Sequence, residues 1–427
     1  MSLKSFTSKQ IYKVAVILKP LGVALFPFSY RQRIKQFLLK KAFPISAKKD
    51  TKLGNCLDGV NLIGYARAEM GIGESCRIAA RSLDATELSF GIINFTGTNS
   101  ARMNDLTWLH KEISEPNFNL NIFHINAEQM MEVYAHYGNS IFKDRYNIGY
   151  WHWELPDFPD EWKESFSLVD EIWVPSTFIA DSISIKSPVP VVKIPHSIKV
   201  EITDERDRGY FKLPENSFLF LSMYDLKSYQ ERKNPQASIR AFQKAFKPHD
   251  FNVGLVIKVN GGRSGNYELK ELHQLIGEYQ NIYLINETLS RNDINALLGV
   301  VDSFVSLHRS EGFGLGLAEA MYMGKPVIAT GWSSNIDFMN KSNSCLVDYE
   351  LIQLKQDYGP YKSYQYWADP DIEQASQFMC RLCNDKIYYG EISFEGEQFV
   401  KRNLSPQVVG ALIQKRLDYI SLWKFGG

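Results

Sequence analysis

The chain has 427 residues, 44% hydrophobic and 22% charged, with 48 Lys and Arg against 48 Asp and Glu. That length is too great for one ordinary domain and comfortable for two, and the composition is that of a soluble globular protein. Five scattered cysteines, an odd number at no disulfide spacing, exclude a disulfide-built scaffold and fit a reducing compartment.

The overall neutrality conceals an asymmetry. Residues 1–53 hold twelve Lys or Arg against Asp50 alone, a net of +11 that the remainder balances with −11. Apolar stretches at 14–18, 21–28 and 34–39 run through the same segment, but Lys19 and Pro20 break the longest, which is too short to span a bilayer. No small-residue cleavage site of secretory type follows. A basic, amphipathic, aromatic-containing arm is expected to lie on an anionic membrane surface, the alternative being a helical hairpin packed on the body of the protein. Nucleic acid is not the expected partner, since the basic residues are interleaved with Leu and Ile and the rest of the chain is acidic.

After the arm, strand-like runs at 60–64, 88–95, 120–125, 146–151, 171–175 and 189–194 alternate with helical patterns near 74–84, 126–136 and 177–184. Such alternation predicts a parallel sheet covered on both faces. Gly71 and Gly73 open the first helix, expected to start near Glu74, where free N–H groups and the helix dipole favour a phosphate. The third glycine of a dinucleotide fingerprint is missing. Histidines stand at the strand ends: His124, read as a satisfied core residue, His152, with Glu154 as its expected hydrogen-bond partner, and His196. Trp151, Trp153 and Trp162 are read as core aromatics, with sugar stacking as the alternative.

The charged stretch 199–216 reads as a linker to a second set of strands at 218–223, 254–259, 282–285, 304–307 and 327–330. The loop after the first of these carries Arg232 and Lys233, before Asn234 and Pro235 start a helix. Lys258 ends the next strand, and a charge at a buried strand end needs an anionic partner. Arg232 is read evenly as an anion ligand or a solvated loop charge. Then come Glu311, Gly312, Phe313, Gly314, Leu315, Gly316 and, one helical turn further, Glu319, in a strand, glycine turn, helix unit. The glycines admit close backbone approach, the helix start suits phosphate, and two ionised carboxylates accept only, so they suit ligand hydroxyls. Together these describe a site for a sugar nucleotide. The aromatic stretch 358–367 is either a selectivity loop or a surface connection. Cys380 and Cys383 fall in a helical pattern and are read as packing. Ser405 and Pro406 open a last helix whose apolar face is Val409, Leu412, Ile413, Leu417 and Ile420.

The stretch 311–319, with Gly-Lys-Pro at 324–326 leading into the next strand, resembles the donor-site signature of the retaining glycosyltransferases of family 4. The resemblance implies an α/β GT-B fold, two Rossmann-like parallel-sheet domains facing a cleft, preceded here by the basic helical arm, 1–53. The acceptor-side domain would comprise 54–205 with the last helix, 406–427, crossing back to it, and the nucleotide-sugar domain 213–405. The implied reaction moves a hexose from a nucleoside diphosphate sugar to a glycan or lipid-linked acceptor with retention. In it Glu311 binds donor-sugar hydroxyls and Glu319 the ribose. The turn 312–315 and the Gly71 and Gly73 loop face the diphosphate, and Arg232, Lys233 and Lys258 neutralise it. Met223 stands where the family usually has an Arg, and Lys258 is its best replacement. His152 matches a cleft histidine that orients the acceptor or the donor phosphate, and His196 stands where the family has Asn-Gly, near the hinge. The leaving diphosphate would take the acceptor proton itself. The resemblance implies no metal, since positive side chains can do the work of a cation, and no cofactor beyond the co-substrate donor. A surface-polysaccharide role, and a cytoplasmic location on the inner face of the membrane, are expected. A sugar-nucleotide epimerase, a phosphorylase or an inactive membrane-bound scaffold are the alternatives on the same fold.

Overall fold

The computed structural model describes residues 34–35, 37–39, 41–43, 56–97, 101–261 and 267–425. Most of the expected membrane arm lies outside the described residues. Of it, 34–35, 37–39 and 41–42 are helical, with Leu39 and Ala42 buried, Ile34 and Phe37 exposed, and Lys35 paired with Glu132.

The first sheet is all parallel, in the order β2-β1-β3-β4-β5-β6. Its strands are β1 (Leu57–Gly64), β2 (Phe90–Asn94), β3 (Phe118–His124), β4 (Tyr146–Tyr150), β5 (Glu171–Val174) and β6 (Val191–Lys193). Alternation along β1 sends Val60 and Leu62 to one core, shared with helix α1 (Gly71–Asp84), and Ile63 to the other. Helices α2 (Ala127–Tyr137) and α3 (Thr177–Ser184) cover that second face, as a parallel sheet requires. Register is pinned by a buried ladder of amides. Asn61 donates to Asn121 at 2.9 Å and Asn121 to Asn147 at 2.8 Å, across β1, β3 and β4.

The second sheet is also parallel, in the order β12-β11-β10-β7-β8-β9. It is built from β7 (Phe218–Asp225), β8 (Val253–Asn260), β9 (Ile282–Ile285), β10 (Ser303–Ser306), β11 (Val327–Thr330) and β12 (Cys345–Val347). The last of these strands was not foreseen, being only three residues long. Helices α4 (Pro235–Ala245), α5 (Tyr267–Ile276), α6 (Arg291–Val300), α7 (Leu315–Tyr322), α8 (Ile372–Asn384) and α9 (Lys386–Asn403) flank it. Chain order reverses between β7 and β10 in this sheet and between β1 and β3 in the first. Ligands bind at such switch points, outside the carboxyl ends of the strands.

An unpredicted antiparallel hairpin, β13 (Tyr349–Gln353) with β14 (Tyr366–Pro370), leaves the second sheet and reaches the first domain. Its Leu354, Tyr361 and Trp367 are buried in the first domain's core, so the 358–367 stretch is not a mere surface connection. The linker expectation also needs trimming. Phe211 and Leu213 pack into the second domain's core, and Arg208 pairs with Asp302 at 2.8 Å. The chain crosses back at Leu404, whose carbonyl accepts from Ile198 N–H at 2.6 Å, so the two crossings lie side by side.

The last helix, α10 (Pro406–Phe425), packs on α1. Val409, Ile413, Leu417 and Ile420 are buried, but Leu412 is 42% exposed, a correction to the expected face. The helical wheel explains it: 412 sits about 100° from the centre of that face. Fully buried Glu171 of β5 locks the helix in place. It accepts from Arg416 Nε at 2.9 Å, Trp173 Nε1 at 2.6 Å and Tyr146 OH at 3.2 Å.

Candidate functional site

The turn between β10 and α7 is shaped by glycine at two points. Gly314 caps α7 with φ of 93°, and a Cβ there would stand 2.7 Å from the Leu317 side chain. At Gly312 a Cβ would lie 3.5 Å from Glu154 of the first domain, so the turn abuts the opposite side of the cleft. The loop after β11 holds the backbone from behind. Glu311 N–H donates to Ser333 Oγ at 2.8 Å, and Ser334 N–H to Glu311 C=O at 3.4 Å. Phe313 packs edge-on to His196 at 4.9 Å.

Glu311 is buried yet ionised. Its carboxylate meets Lys233 Nζ at 2.5 Å and Arg232 Nη1 at 3.6 Å. Burial alone would raise its pKa, but Lys233, Arg232 and His308 outweigh it and hold the carboxyl at about 2.

The cations come from the loop beyond β7, where residues Gln230–Lys233 form one helical turn and Asn234, with φ of 50°, starts α4. Three bonds stitch this loop to the strand-end of β10. Arg309 N–H donates to Arg232 C=O at 2.8 Å, Asn234 Nδ2 to Leu307 C=O at 3.0 Å, and Arg232 Nη1 to Ser310 C=O at 2.8 Å. Arg232 is therefore buried, not a solvated loop charge. Its other carboxylate is Glu154, 3.9 Å away, which also accepts from Tyr361 OH at 3.0 Å. Glu154 is thus not the partner of His152, because the side chain turns toward the second domain.

Met223 and Lys258 pair in register on β7 and β8, and Met223 approaches Gly316 at the start of α7. Lys258 is buried and donates to Val259 C=O at 3.2 Å. Burial lowers its pKa to about 8, with Asp225 opposing. Lys233, rather than Lys258, is the lysine that meets Glu311.

Glu319, in the second turn of α7, is buried and ion-paired to Arg291 at the first position of α6. Burial raises its pKa and Arg291 opposes the rise. Across the cleft, Glu74 in the first turn of α1 feels the same arginine; burial raises its pKa, but Arg291, Arg77 and Arg81 outweigh it.

On the first-domain side α1 begins at Gly71, three residues earlier than expected, so both loop glycines lie inside its first turn. A Cβ at Gly73 would stand 2.1 Å from Ala68 C=O, whereas Gly71 faces open space. His124, His152 and His196 converge at the carboxyl edge of the sheet. His152 and His196 stack with Nε2 atoms 2.9 Å apart, and Ser75 Oγ lies 3.2 Å from His124 Nδ1 and 3.5 Å from His152 Nε2. The tautomer of His152 follows from Asn126. That amide oxygen accepts the His152 backbone N–H at 3.0 Å, so its 3.2 Å contact with Nδ1 requires a proton there. Burial lowers the His152 pKa to about 4, leaving a neutral ring with a bare Nε2, to which His196 donates. Both ring nitrogens are thereby engaged, Nδ1–H by Asn126 and Nε2 by His196. Trp151, Trp153 and Trp162 are buried in the core and not offered to a ligand.

Sequence reasoning missed Arg291, Ser333 and Tyr361. Only Tyr361 had a signal, the aromatic stretch in which it lies; Arg291 opens α6 and Ser333 sits in the loop after β11, neither in a distinguishing motif.

Residues 203–347 match the family described as Glycosyl transferases group 1. No curated protein matches the chain. Among solved structures, sucrose-phosphate synthase from Thermosynechococcus elongatus is similar at 13% identity and a TM-score of 0.62, covering 85% of this chain and 99% of its own. Anabaena HepE in complex with UDP-glucose is similar at 13% identity and 0.61, covering 84% and 99%. A glycosyltransferase from Rickettsia africae gives 14%, 0.60, 86% and 98%. At such identities the likeness is one of fold: two facing parallel-sheet domains, the GT-B arrangement, along nearly the whole of each relative.

Proposed function

We propose that this chain, a glycosyltransferase of GT-B fold, is a retaining enzyme of family 4 that moves a hexose from a nucleoside diphosphate sugar to a hydroxyl of a glycan or lipid-linked acceptor. The observation that carries it is the ionised Glu311 carboxylate, buried beside Lys233 and Arg232 at the switch point of the second sheet and facing Glu154 across the cleft. HepE, similar in fold, is seen with UDP-glucose, which makes a uridine donor the first to try.

Glu311 accepts hydroxyls of the donor hexose and Glu319 those of the ribose. Lys233 and Lys258, with the N–H groups at the start of α7, neutralise the diphosphate. The bond from the anomeric carbon to the β-phosphate oxygen breaks and the acceptor oxygen bonds the same face. The acceptor proton passes to the departing diphosphate. Fixed positive charge where negative charge develops is the main catalytic term. These side chains do the work of a cation, so activity is expected to persist in EDTA. The +11 arm would hold the enzyme on the inner face of the cytoplasmic membrane, near a lipid-linked acceptor of surface-polysaccharide synthesis. Deleting residues 1–33, which keeps the buried Leu39 and the Lys35–Glu132 pair, is then expected to reduce transfer to liposome-borne acceptor while sparing donor hydrolysis.

The test is a panel of UDP-glucose, UDP-N-acetylglucosamine, GDP-mannose and related donors, read by melting temperature and nucleoside diphosphate release. One donor should raise the melting temperature and release its nucleotide with acceptor present. A panel that shifts nothing and releases nothing overturns the proposal.

Lys258 imposes a pH limb. It is charged below about 8 and neutral above, and only the ammonium attracts diphosphate. For the free enzyme, kcat/KM for the donor should be flat up to pH 8 and then fall by up to about tenfold per unit. Lys258→Arg should move that limb out of range; an unchanged profile in this variant removes Lys258 from the donor site.

A further inference from the structure

Arg291 belongs to none of the roles above, yet it is the ion-pair partner of Glu319. It opens α6 behind Ser290, which caps the helix by accepting from Asp293 N–H. From there its guanidinium pairs with Oε1 of Glu319, whose side chain is 6% exposed, while the arginine side chain is 41% exposed. The charge of Arg291 also reaches Glu74, in the first turn of α1 on the opposite domain. Glu74 is in turn fixed by Arg77 at 2.8 Å, which donates to the carbonyls of Ala66 and Ala68 and so shapes the glycine loop.

A buried carboxyl with no cation beside it favours its neutral form, which offers a ligand hydroxyl a poorer acceptor. Arg291 opposes that effect of burial and spends only one carboxylate oxygen doing so. Oε2 has no such partner among the described residues and keeps its lone pairs. We propose that Arg291 is a positioning residue for the nucleotide ribose: it fixes Glu319 as an oriented carboxylate with one oxygen open to the 2′- and 3′-hydroxyls. The proposal rests on Glu319 being the ribose ligand. It assigns Arg291 to recognition of a ribonucleotide donor, acting on binding more than on the chemical step.

The experiment compares UDP-glucose, or whichever donor of the panel is used by the enzyme, with its 3′-deoxyribose counterpart on wild type, Arg291→Ala and Arg291→Lys in the full chain. Wild type should prefer the ribose form by tenfold or more in kcat/KM. Arg291→Ala should raise KM for the ribose donor about tenfold with kcat within twofold, and change KM for the deoxy donor less than threefold, so that discrimination collapses. Arg291→Lys should restore part of it. Equal losses on both donors would mark Arg291 as structural and overturn the proposal. A wild type indifferent to the 3′-hydroxyl would instead overturn the ribose role of Glu319, and the inference with it.

Discussion

Replacing Glu311 by Gln is expected to lower kcat by about 10²–10³ while leaving the fold intact, the loss typical of one preorganised polar group in an active site. The amide keeps the shape and the backbone bond to Ser333, so the turn need not move. What disappears is charge. Lys233 loses its 2.5 Å partner and Arg232 one of its two carboxylates, leaving Glu154. Lys233 would then be free to wander from the position at which it is proposed to meet the diphosphate, and the proposed hexose ligand would become an amide that both donates and accepts. The carboxyl is held at about 2, so the wild-type effect should be insensitive to pH across the working range. Steady-state kinetics on the best donor, with circular dichroism as a folding control, decide the matter. A variant within threefold of wild type would remove Glu311 from catalysis.

The second large effect lies far from the cleft. Arg416→Met should destabilise the attachment of α10 by roughly 3–5 kcal/mol, because among the described residues it leaves the fully buried Glu171 carboxylate only Trp173 and Tyr146 as donors. Breaking one side of a buried pair costs more than removing both, so the double variant Glu171→Leu with Arg416→Met should recover part of the loss. In a two-domain chain one melting temperature does not isolate a single helix; hydrogen exchange does. Amides of residues 406–425 should lose protection in the single variant before those of β8, and regain it in the double. Equal protection in all three proteins would show that the apolar face of Val409, Ile413, Leu417 and Ile420 suffices to hold the helix.

Much of this was legible in the linear chain because the signals are local. Strand runs bounded by polar residues, the glycine turn before α7, Pro235 at the head of α4 and Pro406 at the head of α10 need no distant contact to take their conformation. Two βα series with a linker between them were enough for a two-domain parallel fold. What stayed hidden depends on residues far apart in sequence. Whether Arg232 is solvated or buried turns on Ser310, Glu154 and Tyr361, each from a different segment. The partner of His152 is Asn126 rather than the nearby Glu154, because β4 ends beside the loop after β3 and the chain then turns Glu154 toward the other domain.

Periodicity along the chain thus determined the elements, their order and the glutamates that open and follow the glycine turn, since backbone conformation and amphipathic spacing are properties of neighbouring residues. Only the tertiary structure decided which charges meet. Ion pairs such as Lys233 with Glu311, Arg291 with Glu319 and Arg416 with Glu171 join residues 78, 28 and 245 positions apart. Their geometry depends on how two sheets and a returning helix are set against one another, and no local pattern encodes that.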